Sequence, residues 1–302
     1  MLSRRAALGG LAAASASPAL AAPSFAMPAG ACDTHVHIYD ARFAYKPDAA
    51  LKPKPGDVPD YMRDVQKPLH LSRAVILTPS TYGTDNRCTL DAVRQLGDAA
   101  RGVGVVAADV GDADLKSLHA GGIRGVRLGF GPEQLTAISR RLAPLGWHMQ
   151  FFRPAAEIAA QESTLLALPT PIVLDHLGHV DMPGGMNSPG YRTIRKLLDT
   201  GRCWIKVSGA YIDSKSGPPD YADTSALAKS YIAAAPERCL WASNWPYPDV
   251  TAGRDPKPRP ATGPFLDLFA RWVPDAKLRH RILVENPETL YGFDAKKRPN
   301  PA

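Results

Sequence analysis

Cysteine is scarce in this chain. Its 302 residues include four, Cys32, Cys88, Cys203 and Cys239, and no two form a C-x-x-C pair. That spacing excludes a zinc ribbon and a thioredoxin-type redox pair. Cys32, Cys203 and Cys239 sit beside apolar runs and are expected to be buried reduced thiols. Long hydrophobic stretches are missing too, and nothing approaches the roughly 20 apolar residues that span a bilayer, so no membrane partner is expected. Basic residues are not gathered into runs interleaved with aromatics, which argues against nucleic acid as a partner. The excess of Lys+Arg over Asp+Glu, 36 against 29, is mild and suits an anionic small molecule. No internal repeat is visible.

What is present is an ordinary globular composition, 45% hydrophobic and 22% charged. A chain of this length buries a large core without a disulfide or metal staple. Residues 1–22 read as a twin-arginine export signal. Arg4 and Arg5 precede a short alanine-rich apolar stretch, and Ala19-Leu20-Ala21 supplies a small-x-small cleavage pattern. That reading places the protein in the periplasm. If the N-terminus is not a signal, the protein is expected in the cytoplasm.

From there the chain alternates short apolar runs with helical stretches. Strands are expected at 32–37, 73–78, 103–107, 125–128, 147–152, 172–175, 203–207 and 239–242. Continuous rather than alternating apolar runs suit a parallel sheet covered on both faces. Eight such units predict a single α/β domain over 30–295, a (β/α)8 TIM barrel, with 296–302 as a disordered tail. A Pro- and Lys-rich loop at 42–59 follows the first strand, where an active-site lid containing Tyr45 is expected.

Active sites in such barrels gather at the C-terminal ends of the strands. The organising motif is Cys32-Asp33-Thr34-His35-Val36-His37, because an H-x-H pair on a strand points both rings to one side. Other polar residues assigned to strand ends are Ser80, Tyr82, Arg124, Arg127, His148, Gln150, His176, Ser208, Tyr211 and Asn244. Histidines could polarise a carbonyl or bind a metal. Arg124 and Arg127 could clamp a carboxylate, whose geometry a guanidinium matches. His179 and Tyr247 are weaker candidates.

Several motifs together resemble the amidohydrolase superfamily. They are the H-x-H pair, Val173-Leu174-Asp175-His176, Ser243-Asn244-Trp245-Pro246, and the closing Ile282–Pro287 and Leu290–Phe293 segments. Residues 79–86, 122–128 and 204–211 are similar to the branch of 2-pyrone-4,6-dicarboxylate lactonases, and the pattern comes nearest to its D-galactarolactone isomerases. The resemblance implies catalysis without a metal, with His35, His37 and His176 polarising a lactone carbonyl. In the lactonases an aspartate at the end of strand eight activates water. Here that position is Asn244, which cannot act as a carboxylate base. The resemblance therefore implies a lactone isomerase acting on a sugar-diacid δ-lactone, whose own hydroxyl is the nucleophile. Asn244 joins the histidines as a catalytic position. Tyr45, Ser80, Tyr82, Arg124, Arg127, His148, Gln150, Ser208 and Tyr211 form the substrate site.

Three alternatives stay open at this level. One is a lactone hydrolase that recruits another base such as His148. Another is a metal-dependent hydrolase or decarboxylase with one zinc on His35, His37 and His176. The third is a periplasmic ligand-binding protein without turnover.

Overall fold

The computed structural model describes residues 22–127, 131–182, 184–248 and 262–302. The export signal expected at 1–22 lies, but for its last residue, outside the described residues.

Eight strands form one parallel sheet in chain order: β1 (Cys32–Val36), β2 (Arg73–Leu77), β3 (Ala100–Gly104), β4 (Ile123–Arg127), β5 (His148–Phe151), β6 (Ile172–Leu174), β7 (Cys203–Lys206) and β8 (Cys239–Leu240). The sheet closes on itself through the segment after β8. The Thr34 and His37 amides donate to the carbonyls of Trp241 and Trp245, and the Asn244 amide donates to that of His35. The (β/α)8 barrel is thus the observed architecture. Helices such as Arg87–Leu96, Pro189–Asp199 and Ala222–Ala234 cover the outside. No helix among the described residues is long and apolar enough to cross a membrane.

Two strands begin earlier than the sequence suggests. β3 starts at Ala100 and β4 at Ile123, because the barrel wall carries Arg101 and Arg124 within strands that look apolar only further on. The floor of the barrel is filled by Cys32, Val75, Leu77, Val103, Val173, Trp204 and Leu240, closed from below by Leu290, Tyr291 and Phe293. Arg73 and Arg101 both stack on the Phe293 ring, at 4.9 and 4.7 Å. Residues 296–302, read as a disordered tail, follow this plug. The Pro299 carbonyl accepts from the Gly30 amide, and Arg298 pairs with Glu288. All four cysteines are buried and free.

Candidate active site

Burial below leaves the upper half of the barrel to polar side chains. The pairing of β1 with β2 shifts register between Asp33 and Val36. A bulge of this kind re-aims side chains. Cys32 belongs to the floor cluster, while His35 and His37 face the strand ends opposite. Val36 between them packs outward into the larger core.

The two rings meet edge-on, with His35 Nε2 and His37 Nε2 3.0 Å apart. His37 Nδ1 donates to the Leu77 carbonyl at 3.1 Å. His35 Nδ1 lies 3.1 Å from Asp175 Oδ1 and 3.2 Å from Lys206 Nζ. His176 lies beside His35 with ring centres 4.6 Å apart, and its Nδ1 is 3.1 Å from the Ser208 hydroxyl. His176 adopts φ +43°, in the left-handed region. This turn out of strand geometry lets the consecutive residues Asp175 and His176 both reach the cluster, which a regular strand forbids.

Asp175 is the hub. Gln150 Nε2 donates to its Oδ1 at 2.8 Å, Lys206 Nζ lies 3.3 Å from the same oxygen, and Arg127 Nε is 3.3 Å from Oδ2. Burial alone would raise its pKa, yet the positive charge of Lys206 and Arg127 and the hydrogen bond with His35 hold it well below the carboxylate range. Burial also pulls Lys206 down to about 8, opposed by Asp175. The Arg127 guanidinium lies 4.7 Å above the ring of Phe152, which is 43% exposed at the barrel mouth. Its remaining N–H groups make it the cation placed to receive a carboxylate.

Asn244 stands at the end of the β8 segment with φ +61°, a conformation asparagine tolerates, and its Nδ2 donates to the Tyr211 hydroxyl at 2.8 Å. Tyr39, Tyr45 and Tyr82 form an aromatic wall, Tyr39 lying 6.2 Å from His37. Tyr45 donates its hydroxyl to the Pro53 carbonyl, which ties the loop to that wall. His179 lies behind Phe152 and pairs with Asp213, and Tyr247 bonds to Thr262.

Three assignments need correction. Arg124 is the second residue of β4, at the opposite end from the site, and its guanidinium donates to the carbonyls of His119 and Ile123. Only Arg127 remains of the expected arginine pair. His148 opens β5 deep in the barrel, edge-on to Tyr291 at 5.3 Å. Gly125 makes that possible, since a Cβ there would fall 2.3 Å from the His148 ring. His148 therefore cannot serve as a replacement base. Ser80 is exposed in the turn after β2 and has no hydrogen bond to the cluster.

Lys206, Asp175, Phe152 and Tyr39 line the cluster or its mouth and were not expected there from the sequence. Lys206 carried a signal, being a lysine inside Cys203–Val207 two residues before Ser208, hence on the same face.

Burial keeps the histidines neutral. His37 and His148 are each lowered to about 3, and His35 and His176 fall well below their ordinary value. The unfolded chain then binds more protons than the folded one between pH 6.5 and 3, so stability falls as pH drops through that window. Each such histidine should cost about 1 kcal/mol between pH 6 and pH 5. Chemical denaturation at those two pH values tests this, and His148→Gln should flatten the dependence by one histidine's share. Equal stability at both would contradict it.

The expected zinc finds a poor fit. Two imidazole nitrogens 3.0 Å apart could share an ion. But the Lys206 ammonium lies against His35, the eighth strand offers an amide, and among the described residues no group of three His, Cys, Asp or Glu side chains is disposed to hold a metal ion.

A family model described as amidohydrolase matches residues 32–293. The chain is 34% identical over 282 residues to a 4-sulfomuconolactone hydrolase of Rhizobium radiobacter, covering 89% of this chain and 92% of that one. It is 32% identical over 285 residues to a D-galactarolactone isomerase of Agrobacterium fabrum, covering 91% and 96%. The crystal structure of an Agrobacterium tumefaciens protein in its apo form superposes with a TM-score of 0.81 at 29% identity, covering 90% of this chain and 99% of that one. A match over nearly the whole barrel, with the histidine pair at its mouth, means that this chain belongs to the amidohydrolase family.

Proposed function

We propose that the protein is a metal-independent lactone isomerase. It converts a carboxylate-bearing sugar-diacid δ-lactone, of the D-galactaro-1,5-lactone type, to the γ-lactone by intramolecular acyl transfer. The reading rests on Asn244. Hydrolysis requires a base for water, and the eighth strand offers an amide engaged with Tyr211. Asp175, the carboxylate inside the cluster, is fully buried and surrounded by Gln150, Lys206, Arg127 and His35. A substrate that carries its own hydroxyl needs less activation, because a tethered nucleophile has a very high effective concentration.

The remaining groups have clear tasks. Arg127 holds the free carboxylate of the substrate, Phe152 and the tyrosine wall flank its ring, and the histidine cluster donates to the lactone oxygen as charge develops there. The similarity to a galactarolactone isomerase supports this reading, while that to a sulfomuconolactone hydrolase supports lactones more broadly. Export to the periplasm is proposed on the Arg4-Arg5 signal.

A proton NMR time course of chelator-treated protein with D-galactaro-δ-lactone tests it. The γ-lactone should appear ahead of the open diacid. Direct appearance of the diacid would replace isomerisation with hydrolysis, and a requirement for added zinc would overturn metal independence.

A further inference from the structure

The barrel is closed most sparingly where β8 meets β1, because β8 has only two residues. Beyond it the seam is held by single backbone bonds, from the Thr34 amide to Trp241, from Asn244 to His35 and from His37 to Trp245. The Ser243 amide between them is taken by a side chain, donating to Asp33 Oδ1 at 2.9 Å. The His35 amide donates to the same oxygen at 3.3 Å. Both directions are fixed, since a backbone N–H can only donate and a carboxylate oxygen accepts. The Tyr61 hydroxyl lies 3.4 Å from Oδ2, and its ring packs on Trp245 with centres 5.6 Å apart. Asp33 itself is fully buried. A carboxylate taken out of water is costly unless donors occupy its oxygens, and here three converge on it. What it joins is the backbone of His35 to the residue before Asn244. Ser243 carries the constraint onward, its Oγ accepting from the Trp245 amide at 3.0 Å. Asn244 is thus held from both sides in its left-handed conformation.

We propose that Asp33 is a positioning residue whose carboxylate clamps β1 to the β8 segment and sets His35 and Asn244 at their working separation. Its part in the reaction rests on the lactone-isomerase reading, whereas the clamp does not. Intramolecular transfer needs the substrate hydroxyl aligned with the carbonyl carbon, and a misplacement of about 1 Å can cost about 100-fold in rate. His35 and Asn244 stand on opposite sides of the seam, so loosening it moves one against the other. Arg127 and Phe152 lie at the ends of β4 and β5, across the barrel from the seam. Losing the clamp therefore lowers kcat and leaves KM nearly unchanged. It also lowers the share of γ-lactone among the products, because attack by water needs no alignment of the substrate hydroxyl. Asp33 touches no substrate. Its effect passes through the two backbones it holds.

The clamp is read first without substrate. Protein labelled with nitrogen-15 at its serine and histidine amides is examined by NMR, and the two signals are assigned by their loss in Ser243→Ala and His35→Gln. Both amide protons should move upfield together in Asp33→Asn, because an amide oxygen is a weaker acceptor than a carboxylate. Unmoved signals would overturn the clamp. With D-galactaro-δ-lactone, Asp33→Asn should keep kcat within about threefold of the parent, since its Oδ1 still accepts from both amides. Asp33→Ala should lower kcat about 100-fold with KM within about threefold, and the ratio of γ-lactone to open diacid should fall about tenfold. That ratio separates positioning from a mere loss of folded protein, which would leave it unchanged. A folded Asp33→Ala protein with the parent's kcat or the parent's ratio would overturn the proposal. If this variant does not fold, Asp33→Glu takes its place with the same expected losses, since it keeps the acceptor but pushes it out by one methylene. If the parent turns over no lactone, the amide signals still decide the clamp and the isomerase reading falls alone.

Discussion

Asp175→Asn should lower stability by about 3–5 kcal/mol, the range expected when one partner of a buried charge pair is removed. The substitution keeps the shape of the side chain and deletes its charge. Lys206, with no exposed side-chain surface, then loses its ion-pair partner and keeps only the weaker influence of Asp33, and Arg127 loses its contact at the rim. Lys206 already sits at about 8 because burial disfavours its charged form, and Asp175 is the main opposing influence. Without that carboxylate the lysine must lose its proton on folding. An unfolded lysine is protonated up to about pH 10, so the variant gains stability as pH rises from neutral toward that value, whereas the parent gains it only above about pH 8, where its own Lys206 begins to lose its proton. The deficit should be largest near pH 6 and shrink by pH 9. Urea titrations of both proteins at the two pH values measure this. The double variant Asp175→Asn with Lys206→Met should recover part of the loss, because the stranded charge leaves with it. A single variant within about 1 kcal/mol of the parent at pH 6 would show that the carboxylate does not carry the network.

The rhythm of the barrel was legible because its physics is local. Short apolar runs separated by helical stretches say parallel sheet, and the H-x-H pair says one face of a strand. Both survive in the structure. What escaped was whatever depends on depth along a strand. Arg124 and Arg127 look equivalent at three residues apart, yet β4 begins at Ile123, so one lies below the barrel and the other at its mouth. His148 has the composition of a site residue and the position of a floor residue, which Gly125 makes possible from the neighbouring strand. Lys206 and Asp175 were hidden for the opposite reason. Charges inside apolar strands are expensive, and only their pairing across the barrel makes each tolerable. No single strand shows that pairing. The left-handed turn at His176, which lets two adjacent residues share the site, is likewise a backbone event with no side-chain signature.

Asn244→Asp should shift the chemistry itself. The backbone at this position has φ +61°, which aspartate accepts about as readily as asparagine, and its amide bond to the His35 carbonyl does not depend on the side chain. Tyr211 can answer the change, since a phenol that accepts from an amide can donate to a carboxylate. The result is a carboxylate at the end of the β8 segment, hydrogen-bonded to Tyr211 and largely shielded from bulk solvent. Asp175 cannot supply this function, being buried and neutralised by Lys206 and Arg127. A positioned general base contributes about 10²–10⁴ in rate. Formation of the open diacid from a δ-lactone should therefore rise at least 100-fold in the variant, against a wild type that favours the γ-lactone. Isotope-labelled water distinguishes the routes, because hydrolysis places one solvent oxygen in the product carboxylate and intramolecular transfer places none. An Asn244→Asp protein that folds, binds the lactone and still forms no extra diacid would mean that water cannot reach this position. The choice between transfer and hydrolysis would then lie in solvent access rather than in the missing base.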